Sequence, residues 1–128
     1  MISPCLHFNG ECRKVIELYE KAFKTKVIED SIDYMDDGRK IAHAAMCIHG
    51  TQISLNDALE FLSNTFENIN GMAHLAVTFN TTDELLACYE VLKTDNDVNP
   101  FVETPYSELV GNFPDKFGVL WGFMVISP

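Results

Sequence analysis

The sequence predicts an α+β fold: two consecutive βαβββ modules whose curved mixed sheets enclose a cavity. Two amphipathic helical stretches, each preceded by a short apolar strand, point to it. So does internal repetition: Tyr19-Glu20 on the first helix recurs as Tyr89-Glu90 on the second, and Phe8-Asn9 at the first strand end recurs as Phe79-Asn80. Two copies spaced by about seventy residues indicate a duplicated module and not a solenoid. The expected layout is a single domain over 1–128, with module one at about 1–56, a connection at 57–70 and module two at about 71–128.

Each element has its own justification. Ile2 to Phe8 is short, apolar and strand-like, and Asn9 and Gly10 break it and offer a helix N-cap. Cys12, Val15, Ile16, Tyr19, Ala22 and Phe23 then fall on one helix face. Lys26 to Met35 reads as a strand, Asp36-Asp37-Gly38 as a turn, and Ile41 to Ile48 as the returning strand. His49-Gly50 turns the chain again into Thr51 to Asn56. The acidic connection carries Leu59, Phe61, Leu62 and Phe66, apolar enough to pack down.

In the second half, Met72 to Phe79 is the opening strand, and Thr81 with Glu84 forms a capping box. Leu85, Leu86, Cys88, Tyr89 and Leu92 give the helix its buried face. Strands are expected at Val98 to Glu103 and Glu108 to Phe113, interrupted by Pro100, Pro105 and Pro114, and at Gly118 to Ile126. The two repeat anchors differ by one residue, since Phe8 to Tyr19 spans eleven and Phe79 to Tyr89 spans ten. A slip of one exchanges the faces of a strand.

Composition narrows the function. A length of 128 residues suffices for one core without staples. The net charge of −10, with basic residues only in pairs such as Arg13-Lys14 and Arg39-Lys40, argues against nucleic acid and anionic membranes as partners. The first ten residues lack the features of a signal peptide, and the longest apolar run, Gly118 to Ile126, is too short to span a bilayer. Cys5, Cys12, Cys47 and Cys88 form no CxxC pair, which suggests reduced thiols and a cytoplasmic location. No GxSxG elbow, phosphate-binding loop or HExxH helix is present.

Three stretches carry a family resemblance: PCLHFNGECRKVIELYEKAF, KIAHAAMCIHGTQISLND and FPDKFGVLWGFMV. With its P-x-L-x-F-N-G start and D-x-F-G-x-x-W ending, the chain resembles the PhnB-like branch of the vicinal oxygen chelate superfamily. That superfamily includes glyoxalase I, extradiol dioxygenases, fosfomycin-resistance transferases and bleomycin-resistance proteins. The resemblance implies a homodimer with the cavity between paired βαβββ units. PhnB-like sequences also carry names borrowed from ubiquinone methyltransferases, but this chain has no glycine-rich nucleotide loop to support methyl transfer.

Metal-dependent members of the superfamily take ligands from the first and last strands of each module, typically a histidine and a glutamate. His74 matches the second-module histidine. Its counterpart is Pro4 when counted from the tyrosine anchor and Ser3 when counted from the Phe-Asn anchor. Four residues after the turn glycines, the closing strands offer Ser54 and Gly122. Pro4, Ser54, His74 and Gly122 do not make a catalytic zinc site, which needs three protein ligands. His43 and His49 are expected about 20 Å apart and unable to share an ion. His7 is expected to face the helix, and Asn56 and Asp57 to reach a cavity mouth.

The expectation is a metal-independent dimer that sequesters or senses a small molecule, with no cofactor and no assigned catalytic residue. Its cavity residues are expected to be His43, Ser54, Asn56, His74, Tyr106, Phe113 and Trp121, although alternation places Trp121 out of phase with Gly122. The alternative is a metal-dependent lyase, transferase or dioxygenase that uses His74 with further ligands. A scaffold that has lost an ancestral activity is the third reading.

Overall fold

The 3.6-residue spacing of apolar side chains produces the first helix as expected. In the computed structural model, which describes residues 2–59 and 73–126, α1 spans Cys12–Phe23 and buries all six residues assigned to its inner face. The expectations for Phe61, Leu62, Phe66 and Met72 fall outside the described residues. The chain divides into two compact units, Met1–Ile69 and Asn70–Pro128.

In the first unit β1 (Cys5–His7), β2 (Asp33–Tyr34), β3 (Ile41–Ile48) and β4 (Thr51–Asn56) form a mixed sheet in the order β1-β4-β3-β2. β1 runs parallel to β4, and the other pairs are antiparallel. The expected strand over Lys26 to Met35 shrinks to β2. Val27 contributes only an isolated bridge to Met46, and Glu29–Ser31 coil into a 3-10 turn. His49 and Gly50 both take positive φ, 47° and 83°, which closes β3 on β4 with a two-residue turn that follows the sheet's twist.

α1 is capped from a distance. Asn9 and Gly10 were candidates for the cap, but Glu11 holds that position without a side-chain bond. Asp57, 1% exposed at the end of β4, supplies the acceptor instead. Its Oδ1 accepts from the backbone N–H groups of Gly10 at 2.8 Å and Cys12 at 2.9 Å, and its Oδ2 accepts from that of Ile41 at 2.8 Å. A carboxylate at a helix N-terminus meets both free donors and the positive end of the dipole. Asp57 is therefore a structural residue and not part of a cavity mouth.

The second unit repeats the design with β5 (Leu75–Phe79), α2 (Thr82–Leu92), β6 (Val102–Thr104), β7 (Ser107–Pro114) and β8 (Leu120–Val125), in the sheet order β5-β8-β7-β6. Thr81 Oγ1 accepts from the Glu84 N–H at 3.2 Å, the cap expected from the sequence. Aromatic rings fill the core between α2 and the sheet. Tyr89 of α2 meets Phe113 and Phe101, each at 4.9 Å between centroids, and Phe113 meets Phe123 at 4.9 Å. Phe113 and Trp121 are each 1% exposed within this core, so the expectation that they line a cavity is corrected.

The D-x-F-G-x-x-W ending organises this core. Asp115, 2% exposed, accepts from the backbone N–H groups of Phe117 at 2.8 Å and Val119 at 3.0 Å. Its other oxygen accepts from Trp121 Nε1 at 2.9 Å. The motif thus builds a turn and anchors the indole beneath the sheet.

Two predictions follow from the buried polar and thiol groups. Asp57→Ala strands three backbone donors and should lower the unfolding free energy by about 3 kcal/mol or more in urea titrations followed by far-UV circular dichroism. An Asp57→Asn variant, which keeps an acceptor, should lose less. Burial pushes the Cys12 thiol up from the ordinary 9.0 to about 12, with the Asp57 charge adding to it, and burial alone takes Cys88 to about 12. Both thiols ionise more readily once unfolded. Unfolding therefore releases protons, and stability should fall as pH rises from about 9 towards 12. Cys12→Ala and Cys88→Ala together should flatten that decline in denaturation midpoints.

Candidate functional site

Strand alternation divides each sheet into a face beneath its helix and an open face. In module one the residues Ala44, Met46, Ile53, Leu55 and Phe8 are buried on the helix side. The register pairs Cys5 with Ser54, His7 with Asn56, and Ser54 with Ala45. Cys5, His7, Ser54 and Asn56 therefore share the open face. The expectation that His7 turns toward the helix is corrected, because Phe8, its neighbour, is the residue that points into the core.

These side chains are joined by hydrogen bonds. Asn56 Oδ1 lies 3.0 Å from His7 Nδ1 and accepts from the Ala58 N–H at 2.9 Å. Asn56 Nδ2 approaches Cys5 Sγ at 3.7 Å. Burial raises the Cys5 thiol, and the bond from Asn56 partly offsets that rise. Of the residues expected in a site, Ser54 and Asn56 fall here. His43 lies on β3, where its Nδ1 is 3.2 Å from the carbonyl of Ser31 on the 3-10 turn. His49 occupies the β3–β4 turn with its ring edge-on to Phe23 at 5.9 Å, so it does not share a site with His43. Sequence reasoning missed Cys5 and His7, although counting back from the buried Phe8 would have placed them on this face.

In module two the open face holds a tighter cluster. Ala76 pairs with Gly122 on β8, and Asn112 of β7 pairs with the same glycine. A Cβ added at Gly122 would stand 2.6 Å from both Cδ2 and Nε2 of His74 and 3.0 Å from Asn112 Oδ1. The imidazole edge thus lies across the glycine, in the space where a longer side chain would begin. His74 falls in this cluster, and Asn112 joins it without having been singled out from the sequence. Tyr106, 62% exposed, sits in the turn between β6 and β7, beside Ser107. Ser107 is five residues from Asn112 along β7, about 17 Å of strand.

The registers also decide between the two repeat anchors. Ser54 and Gly122 both stand four residues after a turn glycine, and their β1 and β5 partners are Cys5 and Ala76. Equating Cys5 with Ala76 makes Ser3, not Pro4, the counterpart of His74. The one-residue discrepancy resides in the strand-to-helix loop, which takes four steps from Phe8 to Cys12 and three from Phe79 to Thr82. Gly10, at φ 87°, sits within the longer loop.

Residues 2–123 match the model of the glyoxalase/bleomycin resistance protein/dioxygenase superfamily. The chain belongs to this superfamily. Solved structures with the same fold include a PhnB protein from Bacillus cereus, with a TM-score of 0.74 at 23% identity, covering 97% of this chain and 98% of that one. Protein PA1353 from Pseudomonas aeruginosa gives 0.78 at 22% identity, with 100% and 98% covered. A glyoxylase/bleomycin resistance protein/dioxygenase domain from Frankia sp. EAN1pec gives 0.72 at 17%, with 99% and 91% covered. No curated protein matches the sequence significantly.

The metal that many superfamily members hold does not fit the corresponding positions in this chain. Ser3 and Ser54 offer hydroxyls in module one, and in module two His74 overlies a glycine that has no donor. Among the described residues, no three His, Cys, Asp or Glu side chains are grouped to hold an ion.

Substitutions at two glycines should separate a packed position from an open one. At Gly111 a Cβ would meet Phe101 Cδ1 at 2.8 Å and the Pro100 backbone oxygen at 2.9 Å, so Gly111→Ala should destabilise by about 1–3 kcal/mol. At Gly122 the obstacle is the exposed end of the His74 ring. Gly122→Ala should cost less than about 1 kcal/mol and instead shift the His74 imidazole resonances in NMR spectra.

Proposed function

We propose that this superfamily member is a small-molecule-binding protein that acts as a homodimer and uses no metal at the superfamily's ligand positions. The observation that carries this reading is the His74 ring lying over Gly122, where a closing-strand ligand would have to start. The open sheet faces retain polar groups suited to orienting a ligand, Asn56 and His7 in module one and His74 and Asn112 in module two. Binding pockets of this kind combine a largely apolar wall with a few placed polar atoms. The role that fits is sequestration or sensing. Four unpaired cysteines support a reducing, cytoplasmic setting, and among the described residues no helix is long and apolar enough to cross a membrane.

Elemental analysis of protein purified without chelator, combined with thermal shift, tests the reading. Nickel, zinc, manganese and iron(II) should leave the melting temperature within about 1 °C, while a planar apolar ligand should raise it in proportion to the logarithm of its concentration. Stoichiometric metal, or an ion-specific rise abolished in His74→Ala, would replace this reading with that of a metal-dependent lyase, transferase or dioxygenase. Sedimentation equilibrium should give twice the 14.4 kDa chain mass.

A further inference from the structure

We infer that Asn9 is a latent deamidation site, held shut in the folded chain by the hydrogen bond from the Gly10 backbone N–H to Asp57. Asparagine followed by glycine is the sequence that loses its side-chain amide most easily, because glycine has no side chain to crowd its own nitrogen. In that reaction the Gly10 nitrogen gives its proton to water and bonds Asn9 Cγ. The side-chain nitrogen leaves as ammonia, and a cyclic imide remains. Water then opens the ring at either of its carbonyls, giving aspartate or isoaspartate with no change in oxidation state. Asn9 and Gly10 are both exposed, so water has access. Neither open sheet face takes part.

The fold requires this labile pair. Gly10 takes φ 87° in the longer of the two strand-to-helix loops, a conformation glycine adopts without strain. In the second module the equivalent asparagine, Asn80, precedes Thr81, whose branched side chain crowds the attacking nitrogen. Module one lacks that shield and protects Gly10 by geometry. The Gly10 N–H donates to Asp57 Oδ1 at 2.8 Å, and this carboxylate is 1% exposed. On the other side Phe8 is pinned to the end of β4. Its N–H donates to the Asn56 carbonyl at 2.8 Å, and its carbonyl accepts from the Leu59 N–H at 3.0 Å. Asn9 therefore spans two fixed points. Ring closure consumes the Gly10 proton and takes from Asp57 one of the three backbone donors that satisfy it. The reaction must wait for the loop to open, and a hydrogen bond to a charged group makes that opening about ten- to a hundredfold rarer. Isoaspartate adds one carbon to the main chain between the fixed points and displaces Gly10 from Asp57. Deamidation thus records, irreversibly, the opening of this corner and removes a tie at the start of α1.

The test incubates the full chain folded and, in parallel, unfolded in urea, and then digests both with trypsin. The peptide ending at Arg13 reports Asn9 through its mass and through chromatographic separation of the isoaspartate form. Folded protein should deamidate at Asn9 at least about tenfold more slowly than the unfolded chain. Asp57→Asn, which removes the charge but keeps an acceptor, should raise the folded rate about tenfold or more. Asp115→Asn disturbs the buried carboxylate of the other module and should leave the Asn9 rate unchanged, which separates the latch from a general loss of stability. Hydrogen exchange at the wild-type Gly10 amide should be slowed to a similar degree, a readout that needs no variant to fold. Equal rates in folded and unfolded chain, an unprotected Gly10 amide, an unchanged or slower rate in Asp57→Asn, or the same acceleration in Asp115→Asn would overturn the proposal.

Discussion

The first module depends on a single buried carboxylate. Asp57 gathers the start of α1, the loop before it and the first residue of β3 onto its two oxygens. It also lies one residue beyond Asn56, whose amide orients His7 and Cys5. Burying a charge this completely is costly unless hydrogen bonds satisfy it, and three backbone donors do so here. Because Asn56 ends β4 and Asp57 follows it directly, the packing of the helix and the polar pattern of the open face are fixed by the same short stretch of chain. Asp115 solves a comparable problem in the second module with two backbone donors and the indole N–H. The residue identity recurs, but its position does not.

The duplication explains why the two open faces differ in chemistry. The modules share strand order and strand direction, yet module one has one residue more between strand and helix. Counting from the helices therefore assigns the wrong strand face to the first-module ligand position, and counting from the strands assigns the right one. With the strand count, Ser3 is the counterpart of His74 in the repeat, and Ser54 is the counterpart of Gly122. Neither module preserves a pair of strong donors at these places, and in the second the imidazole occupies the room the glycine leaves.

Much of the fold was legible because local signals and burial agreed. The inner face of α1, the His49-Gly50 turn and the Thr81 cap were each set by residues adjacent in sequence. The N-cap of α1 was not, since its acceptor lies 45 residues from Cys12, beyond the reach of a local capping rule. Lys26 to Met35 has strand-like composition, yet only two of its residues pair regularly, because Glu29–Ser31 coil instead. At the candidate sites, the repeat singled out His74 and Ser54, and Asn56 entered only as a residue following Ser54. Phe113 and Trp121 could not be separated from cavity-lining residues by aromatic character alone. Only the registers of β5, β7 and β8 put them on the same side as Tyr89. His7 was misplaced for want of the anchor that Phe8 provides.

The position of the indole has a practical consequence. The chain has one tryptophan, and it is sealed in the core of the second unit with its nitrogen on Asp115. Intrinsic fluorescence excited at the red edge of protein absorption is therefore a local gauge, sensitive to melting of that half and blind to fraying around α1. If emission and ellipticity trace one curve during denaturation, both halves come apart as a cooperative whole. If they separate, the gap between them measures how independently each half of the ancient duplication still stands.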